Sequence, residues 1–223
     1  MFIDSHAHIT GPVEGVDKVI CVGTTLEDSQ NAILLAQKYD YIFATVGIHP
    51  HETCDDWDRF EELIQQPKVV GIGECGLDYH QSYDPRQKPV FVNQLAIARK
   101  FDLPLSIHIR DAWEDLKTID LSKNRGVFHC YSGPVEIPKN FYVSFAGNLT
   151  FKNAQNLQEL AKQISIDKIL LETDSPYLSP IRGEQNKPEN VRITAQKLAD
   201  IKGLTLEEIA KITSKNAYEL FHF

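Results

Sequence analysis

The feature that most constrains the fold of this chain is a series of eight short apolar runs, rich in Val, Ile, Leu and Phe, spread along its 223 residues. Near-continuous runs of this kind are typical of parallel strands that are covered on both faces, not of strands with one face in water. The predicted strands are Phe2–His6, Lys18–Val22, Ile42–Ile48, Val69–Glu74, Leu105–Ile109, Val127–Cys130, Phe141–Phe145 and Lys168–Glu172.

Helical patterns separate most of these runs. They lie at Leu26–Tyr39, Asp56–Gln65, Arg86–Phe101 and Ala154–Ile164, followed by a helix between Pro188 and Gly203 and a last one opened by the Thr205/Glu208 capping box. Alternating strands and helices predict a parallel sheet, and eight such units would close a TIM (β/α)8 barrel. We therefore predict an α/β fold with a single barrel domain over residues 1–223.

Two connections are too short for a crossover helix, which normally needs about a dozen residues or more. Ile9–Asp17 has nine residues and Tyr131–Asn140 has ten, and both contain Gly and Pro. We expect two outer helices to be shortened or missing there. The outward residues of Val19–Val22 and Phe141–Phe145 should then be exposed, unless a C-terminal helix or a second chain covers them. The net charge of −8 favours a monomer, in which a C-terminal helix and not a second chain covers this flank.

Six polar residues lie at the downstream ends of the predicted strands, which a barrel gathers at one rim. His6 and His8 are two residues apart on an extended segment, so both imidazoles point the same way. A carboxylate that follows an apolar strand, such as Glu74, must be paired, hydrogen-bonded or metal-bound. Each residue alone also fits an ordinary role, as a solvated or core histidine, a salt bridge or a helix cap. Together they predict a divalent-metal site made of His6, His8, Glu74, His108, His129 and Asp174.

Four imidazoles and two carboxylates are more ligands than one tetrahedral ion accepts. Two ions about 3.5–4 Å apart, bridged by a carboxylate, would use them all. Imidazoles favour Zn, Fe or Mn and carboxylates also admit Mg, so the sequence leaves the metal open. The glycines at 71, 73 and 76 match a dinucleotide-binding fingerprint, but a loop instead of a helix is expected after them, and we exclude that reading.

In their order along the chain, several motifs resemble the TatD family of metal-dependent deoxyribonucleases. They are Phe-Ile-Asp-Ser-His-Ala-His at 2–8, Val-Gly-Ile-His-Pro-His at 46–51, Gly-Ile-Gly-Glu-Cys-Gly-Leu-Asp-Tyr at 71–79, Pro-Leu-Ser-Ile-His-Ile-Arg at 104–110, His-Cys-Tyr-Ser-Gly at 129–133 and Leu-Leu-Glu-Thr-Asp-Ser-Pro-Tyr-Leu at 170–178. The resemblance spans essentially the whole chain. It implies an amidohydrolase-type TIM barrel that hydrolyses phosphodiesters with two divalent ions.

The resemblance also implies roles for the ligands. His6, His8 and Asp174 would hold one ion, His108 and His129 the other, Glu74 would bridge them, and Asp174 would take the proton of the attacking water. The substrate-binding candidates could instead be solvated side chains or turn caps; they are Arg182, Arg110, His51, Asp78 and Tyr79. Asp4 and Glu172 could orient ligand histidines or belong to buried ion pairs.

Three functions remain open at this point. The first is cleavage of DNA from an end. The second is hydrolysis of a carbon ester or amide, such as an aminoacyl-tRNA, and the third is metal binding without turnover. The charge of −8 argues against broad adhesion to nucleic acid but not against a nuclease with local positive charge. Without a signal peptide, a membrane-spanning run or a CxxC pair, we expect a cytoplasmic protein with reduced cysteines and no obligate protein partner.

Overall fold

Eight parallel strands pair in sequence order in the computed structural model, which describes all residues 1–223. The strands are β1 (Ile3–Ala7), β2 (Lys18–Val22), β3 (Ile42–Val46), β4 (Val69–Asp78), β5 (Leu105–Arg110), β6 (Gly126–Phe128), β7 (Phe141–Phe145) and β8 (Ile169–Leu171). All eight predicted strands are present, and β4 runs four residues beyond its predicted end at Glu74. No helix begins at the glycines of β4, which confirms the exclusion of a dinucleotide fingerprint.

Seven helices surround the strands. They are α1 (Leu26–Lys38), α2 (Trp57–Ile64), α3 (Gln87–Phe101), the single turn α4 (Trp113–Leu116), α5 (Gln155–Gln163), α6 (Val191–Lys202) and α7 (Leu206–Phe221). Short 3₁₀ turns occupy Gly147–Thr150, Ile166–Lys168 and Pro188–Asn190. The predicted capping box of Thr205 and Glu208 opens α7, and Gly203 ends α6 in the left-handed conformation. None of these helices is long and apolar enough to cross a membrane.

The first and last strands meet beyond the end of β8 and close the barrel. The amide of Asp174 donates to the carbonyl of His6 at 2.9 Å, and the amide of His8 donates to the carbonyl of Ser175 at 2.8 Å. The buried carboxyl of Asp4 accepts from the Thr173 amide at 2.9 Å and from its hydroxyl at 2.5 Å. Asp4 therefore fastens the seam between β1 and β8. The TIM-barrel prediction is confirmed.

Apolar side chains form two layers, one outside the strands and one inside the barrel. The inner cluster joins residues from strands on all sides, which can touch only across the interior: Ile3, Ile20, Val22, Val70, Val127 and Leu170, together with Ala217, Leu220 and Phe221 of α7. Most of these strand residues are the first or second of their strand. The C-terminal turns of α7 therefore plug the end of the barrel where the strands begin.

The two short connections contain no helix, as predicted, but the strands beside them are not exposed. Val19 and Phe141 are fully buried, and no residue of β2 from Val19 onward exceeds 3% exposure. The exposure expected for an uncovered flank does not occur, because residues of the loops pack against the apolar layer outside the strands. Val13 and Val16 of the first loop and Ile137 of the second pack against the outer apolar cluster.

The first of these loops is held by the start of α6. The backbone of Gly15, at φ +74°, lies so close to Glu189 that an added Cβ would be 2.7 Å from the Glu189 Cβ. Arg192 donates from Nε to the carbonyl of Gly15 at 3.1 Å, and its guanidinium lies 4.4 Å from the centre of the Phe2 ring. A C-terminal helix thus helps to cover this flank, as the sequence favoured.

Candidate metal centre

The six predicted ligands converge at the rim where the strands end. His6 lies in β1 with His8 just beyond it, Glu74 and His108 lie within β4 and β5, and His129 directly follows β6. Asp174 lies three residues beyond β8, in the seam with β1. The parallel order of the strands places these ends side by side, which is why residues far apart in sequence form one cluster.

Glu74 is the centre of the cluster, and its two carboxylate oxygens face different partners. Oε2 lies 3.4 Å from His6 Nε2 and 3.5 Å from His8 Nε2. Oε1 lies 2.9 Å from His108 Nδ1 and 3.0 Å from His129 Nε2. A carboxylate with nitrogen donors gathered at each oxygen has the arrangement needed to join two ions.

Asp174 belongs to the group at Oε2 of Glu74. Its Oδ1 lies 3.5 Å from His8 Nε2 and 3.9 Å from His6 Nε2. Potential ligand atoms of His6, His8 and Asp174 all lie within 4.8 Å of one another, as do those of His6, Glu74 and His129. The cluster therefore offers at least two overlapping sets of three ligands.

Other polar groups hold the imidazoles in place from behind. His6 Nδ1 lies 3.1 Å from Ser106 Oγ, and His108 Nε2 lies 3.0 Å from Asp78 Oδ2. His129 Nδ1 lies 3.6 Å from Glu172, whose carboxylate accepts from the Cys130 amide and the Ser144 hydroxyl. These contacts fix the ring orientations and leave the opposite nitrogens directed at Glu74.

The electrostatics of the cluster favour a positive charge at its centre. Burial acts to raise the pKa of Glu74, but the charge of His129 and hydrogen bonds from His108 and His129 outweigh it and hold the pKa well below its usual value. Burial acts to lower the pKa of His129, yet Glu74 and Glu172 raise it well above its usual value. The Glu74 carboxylate thus remains ionised although it is buried.

A buried nitrogen atom of the cluster indicates whether the cluster suits metal ions. His6 Nε2 has no hydrogen-bond partner, although it is buried and directed at Glu74 and Asp174. A buried polar atom without a partner is costly unless something else binds it. Imidazole nitrogens beside an ionised carboxylate are ligands for first-row divalent ions, so the residues fit such ions.

Sequence reasoning missed His49 as a member of the cluster. Its Nε2 lies 3.5 Å from Glu74 Oε1, and burial lowers its pKa to about 4, so the ring is neutral. It forms a third potential ligand group with Glu74 and His108. The signal was present, because His49 and His51 repeat the spacing of His6 and His8 at the end of β3.

A polar cavity of about 550 Å³ opens above the cluster. Arg110, His51 and Asp78, three of the substrate-binding candidates, line it. Asp78 is buried and engaged with His108, and the exposed His51 lies 3.4 Å from it. Tyr177, which the sequence did not single out, also lines the cavity. The residue is 62% exposed, and the centre of its ring lies 6.0 Å from that of His8.

The structure does not bring the other two substrate-binding candidates to this cavity. Tyr79 is half-buried and donates its hydroxyl to Asp115 at 2.8 Å. Arg182 is exposed in the loop after β8 and does not line the cavity.

Comparison with known proteins agrees with this fold. The family model described as TatD related DNase matches residues 3–222. The chain belongs to this family. A Bacillus subtilis relative, the uncharacterized metal-dependent hydrolase YabD, is 39% identical over 99% of both chains. That alignment spans 252 positions, more than the 223 residues here, which agrees with shortened connections in this chain.

Two further relatives come from Escherichia coli. The 3'-5' ssDNA/RNA exonuclease TatD of strain K12 is 34% identical over 93% of this chain and 88% of its own. The crystal structure of the TatD homologue YJJV matches with a TM-score of 0.88 and 26% identity, covering 100% of this chain and 98% of that one. The protein is a metal-dependent hydrolase of the TatD family.

Proposed function

We propose that the protein is an exonuclease that hydrolyses phosphodiester bonds of DNA with two divalent ions. The observation that carries the proposal is the position of Glu74 between two groups of imidazoles, with Asp174 at one of them. Two bound ions would make water more acidic and neutralise the charge that develops on the phosphoryl oxygens. The exonuclease relative at 34% identity supports the choice of nucleic acid as substrate.

In this proposal the ligands divide as the distances suggest. His6, His8 and Asp174 would hold one ion, His108 and His129 would hold the other, and Glu74 would contribute to both sites. Asp174 is also the proton acceptor for the attacking water, because its carboxylate borders the open cavity and is 14% exposed while Glu74 is 5% exposed. The His8 hydrogen bond and nearby histidines outweigh burial and hold the pKa of Asp174 below its usual value, so the carboxylate is ionised.

The rim cavity is suited to one end of a nucleic acid strand. Its volume of about 550 Å³ is in the range for a nucleotide-sized ligand. Arg110 lines it without a carboxylate partner within 4.0 Å and can engage a phosphate. Tyr177 presents an exposed ring on which a base can stack.

A cleavage assay tests the proposal directly. Purified protein is stripped with chelator and then supplied separately with Mg, Mn or Zn, with end-labelled single- and double-stranded DNA as substrates. We expect stepwise shortening from one end that depends on the added ion. Full activity in excess chelator, with no metal found by elemental analysis, contradicts the proposal, as does cleavage of an aminoacyl-tRNA ester without any cleavage of DNA.

The number of ions is tested separately with Glu74→Gln. Removing the charge shared by two cations should reduce bound metal from two ions per chain to one or fewer, measured by elemental analysis after dialysis. Glu52→Gln, an exposed carboxylate lining the same cavity, is the matched control and should keep both ions. Unchanged stoichiometry in Glu74→Gln would indicate a site for one ion.

A further inference from the structure

A second polar cavity, of about 390 Å³, lies at the opposite end of the barrel from the metal centre. Its walls are the residues that enter β5 to β8, together with the end of α3 and the last turns of α7. We call it the basal cavity. Its charged lining residues are Arg99, Lys123, Arg125, Lys139 and Lys168, with Asp102 and Glu219.

The basal cavity concentrates positive charge in a chain that is acidic overall, with 31 acidic and 23 basic residues. Its two carboxylates already have partners, because Glu219 lies 3.3 Å from Lys215 and Asp102 pairs with Arg125. The remaining four cations of the cavity have no carboxylate within 4.0 Å: Arg99, Lys123, Lys139 and Lys168. A bound anion would relieve their mutual repulsion.

The barrel holds several of these cations in place. Arg125 directly precedes β6 and Lys168 directly precedes β8. Lys168 donates from Nζ to the carbonyl of Lys139 at 2.5 Å, and Arg99 donates to the Asn124 side chain at 3.3 Å. Arg125 also has a buried Nε without a hydrogen-bond partner. These contacts make the basal cavity a preformed group of donors.

We infer that the basal cavity binds a small phosphate-bearing anion of about nucleotide size. Arginine and lysine form strong charge-assisted hydrogen bonds with phosphate oxygens, and four unpaired cations match an anion with several charges. The volume is that of a small-molecule site. A long nucleic acid strand fits less well, because most of its phosphates would extend beyond a cavity of this volume onto the surface of an acidic chain.

The test is a calorimetric titration of the full chain with pyrophosphate, ADP and adenosine, repeated after chelator treatment to separate this cavity from the metal centre. We expect pyrophosphate and ADP to bind with or without metal, and adenosine not to bind. Lys123→Gln/Lys139→Gln removes two exposed charges whose side chains make no hydrogen bonds, and affinity should fall about tenfold or more.

The control variant removes two lysines that lie away from the basal cavity, Lys152→Gln/Lys197→Gln, and should bind as the unmodified chain does. Three results would overturn the inference: no binding of pyrophosphate or ADP at millimolar concentration, equal losses in both variants, or binding of an oligothymidine but of neither small anion. Because binding is measured without hydrolysis, failure of the proposed nuclease activity would leave this test unaffected.

Discussion

The two ends of the barrel carry opposite chemistry on one scaffold. At the rim where strands end, buried carboxylates and imidazoles favour bound cations. At the base where strands begin, unpaired lysines and arginines surround a cavity, and the interior is sealed by the apolar end of α7. Parallel strands produce this separation, because every residue at a strand end is carried to one side. Substitutions at the metal centre should therefore leave the packing of the end of α7 unchanged. Substitutions at the end of α7 should likewise leave the metal centre unchanged.

The largest expected effect is a loss of turnover when the metal centre at the rim is altered. Asp174→Asn should keep the fold and most of the metal but lower kcat by about 10²–10⁴-fold, because the proton acceptor is lost. Steady-state kinetics on labelled DNA and elemental analysis measure the two properties. Asp58→Asn, an exposed carboxylate in α2, is the control. Near-normal turnover in Asp174→Asn would remove this residue from the proton-transfer role.

A comparable effect, but on stability, is expected at the base. Phe221→Ala removes a ring that is 4% exposed from the inner cluster and should lower the free energy of unfolding by about 3–5 kcal/mol. Denaturant unfolding measures the change, with the exposed Lys211→Ala in the same helix as control. At a temperature where Phe221→Ala is still folded, its metal content should be normal. Loss of metal from the folded variant would show that the two ends are coupled.

A smaller effect, on metal affinity, is expected when a residue that orients a ligand histidine is replaced. Asp78→Asn should weaken metal affinity by about 10–100-fold, because His108 loses the carboxylate that orients its ring. Asp111→Asn alters a similar pair with His80, at 2.9 Å, that is exposed and outside the cluster. Competition with a chelating dye compares the two variants. Equal affinities would mean that His108 is held by its strand alone.

The smallest effect concerns the substrate. Arg110→Ala should raise KM for a DNA substrate more than it lowers kcat, with about a tenfold loss in kcat/KM from one charged hydrogen bond of roughly 1.5–3 kcal/mol. Arg182→Ala should change kcat/KM less, since Arg182 does not line the cavity. Initial rates over a range of substrate concentrations decide this, and a larger loss in Arg182→Ala would favour the assignment from sequence.

Local patterns were sufficient to predict the barrel and the gathering of six polar residues at one rim. Apolar runs specify buried parallel strands, and strand polarity then determines which residues share an end. His49 was also within reach of this reasoning, because its spacing to His51 repeats that of His6 and His8.

Features that depend on packing between distant segments could not be read in the same way. The pattern of α7 shows that one face is buried but not that Leu220 and Phe221 enter the barrel. Likewise, a short loop does not reveal that Val13 and Val16 pack against the apolar layer outside the strands. The basal cavity escaped notice because its five cations come from four separate segments.

The seam formed by Asp4 and Thr173 joins residues 169 positions apart in sequence. Backbone groups along one edge of β1 therefore lack hydrogen-bond partners until β8 has formed. The barrel interior also stays open to water until α7 packs against it. Contacts of such long range slow folding, and exposed strand edges invite pairing with other chains. Fragments that stop before β8 should aggregate during synthesis or depend on chaperones, whereas extensions of the outer loops should be tolerated.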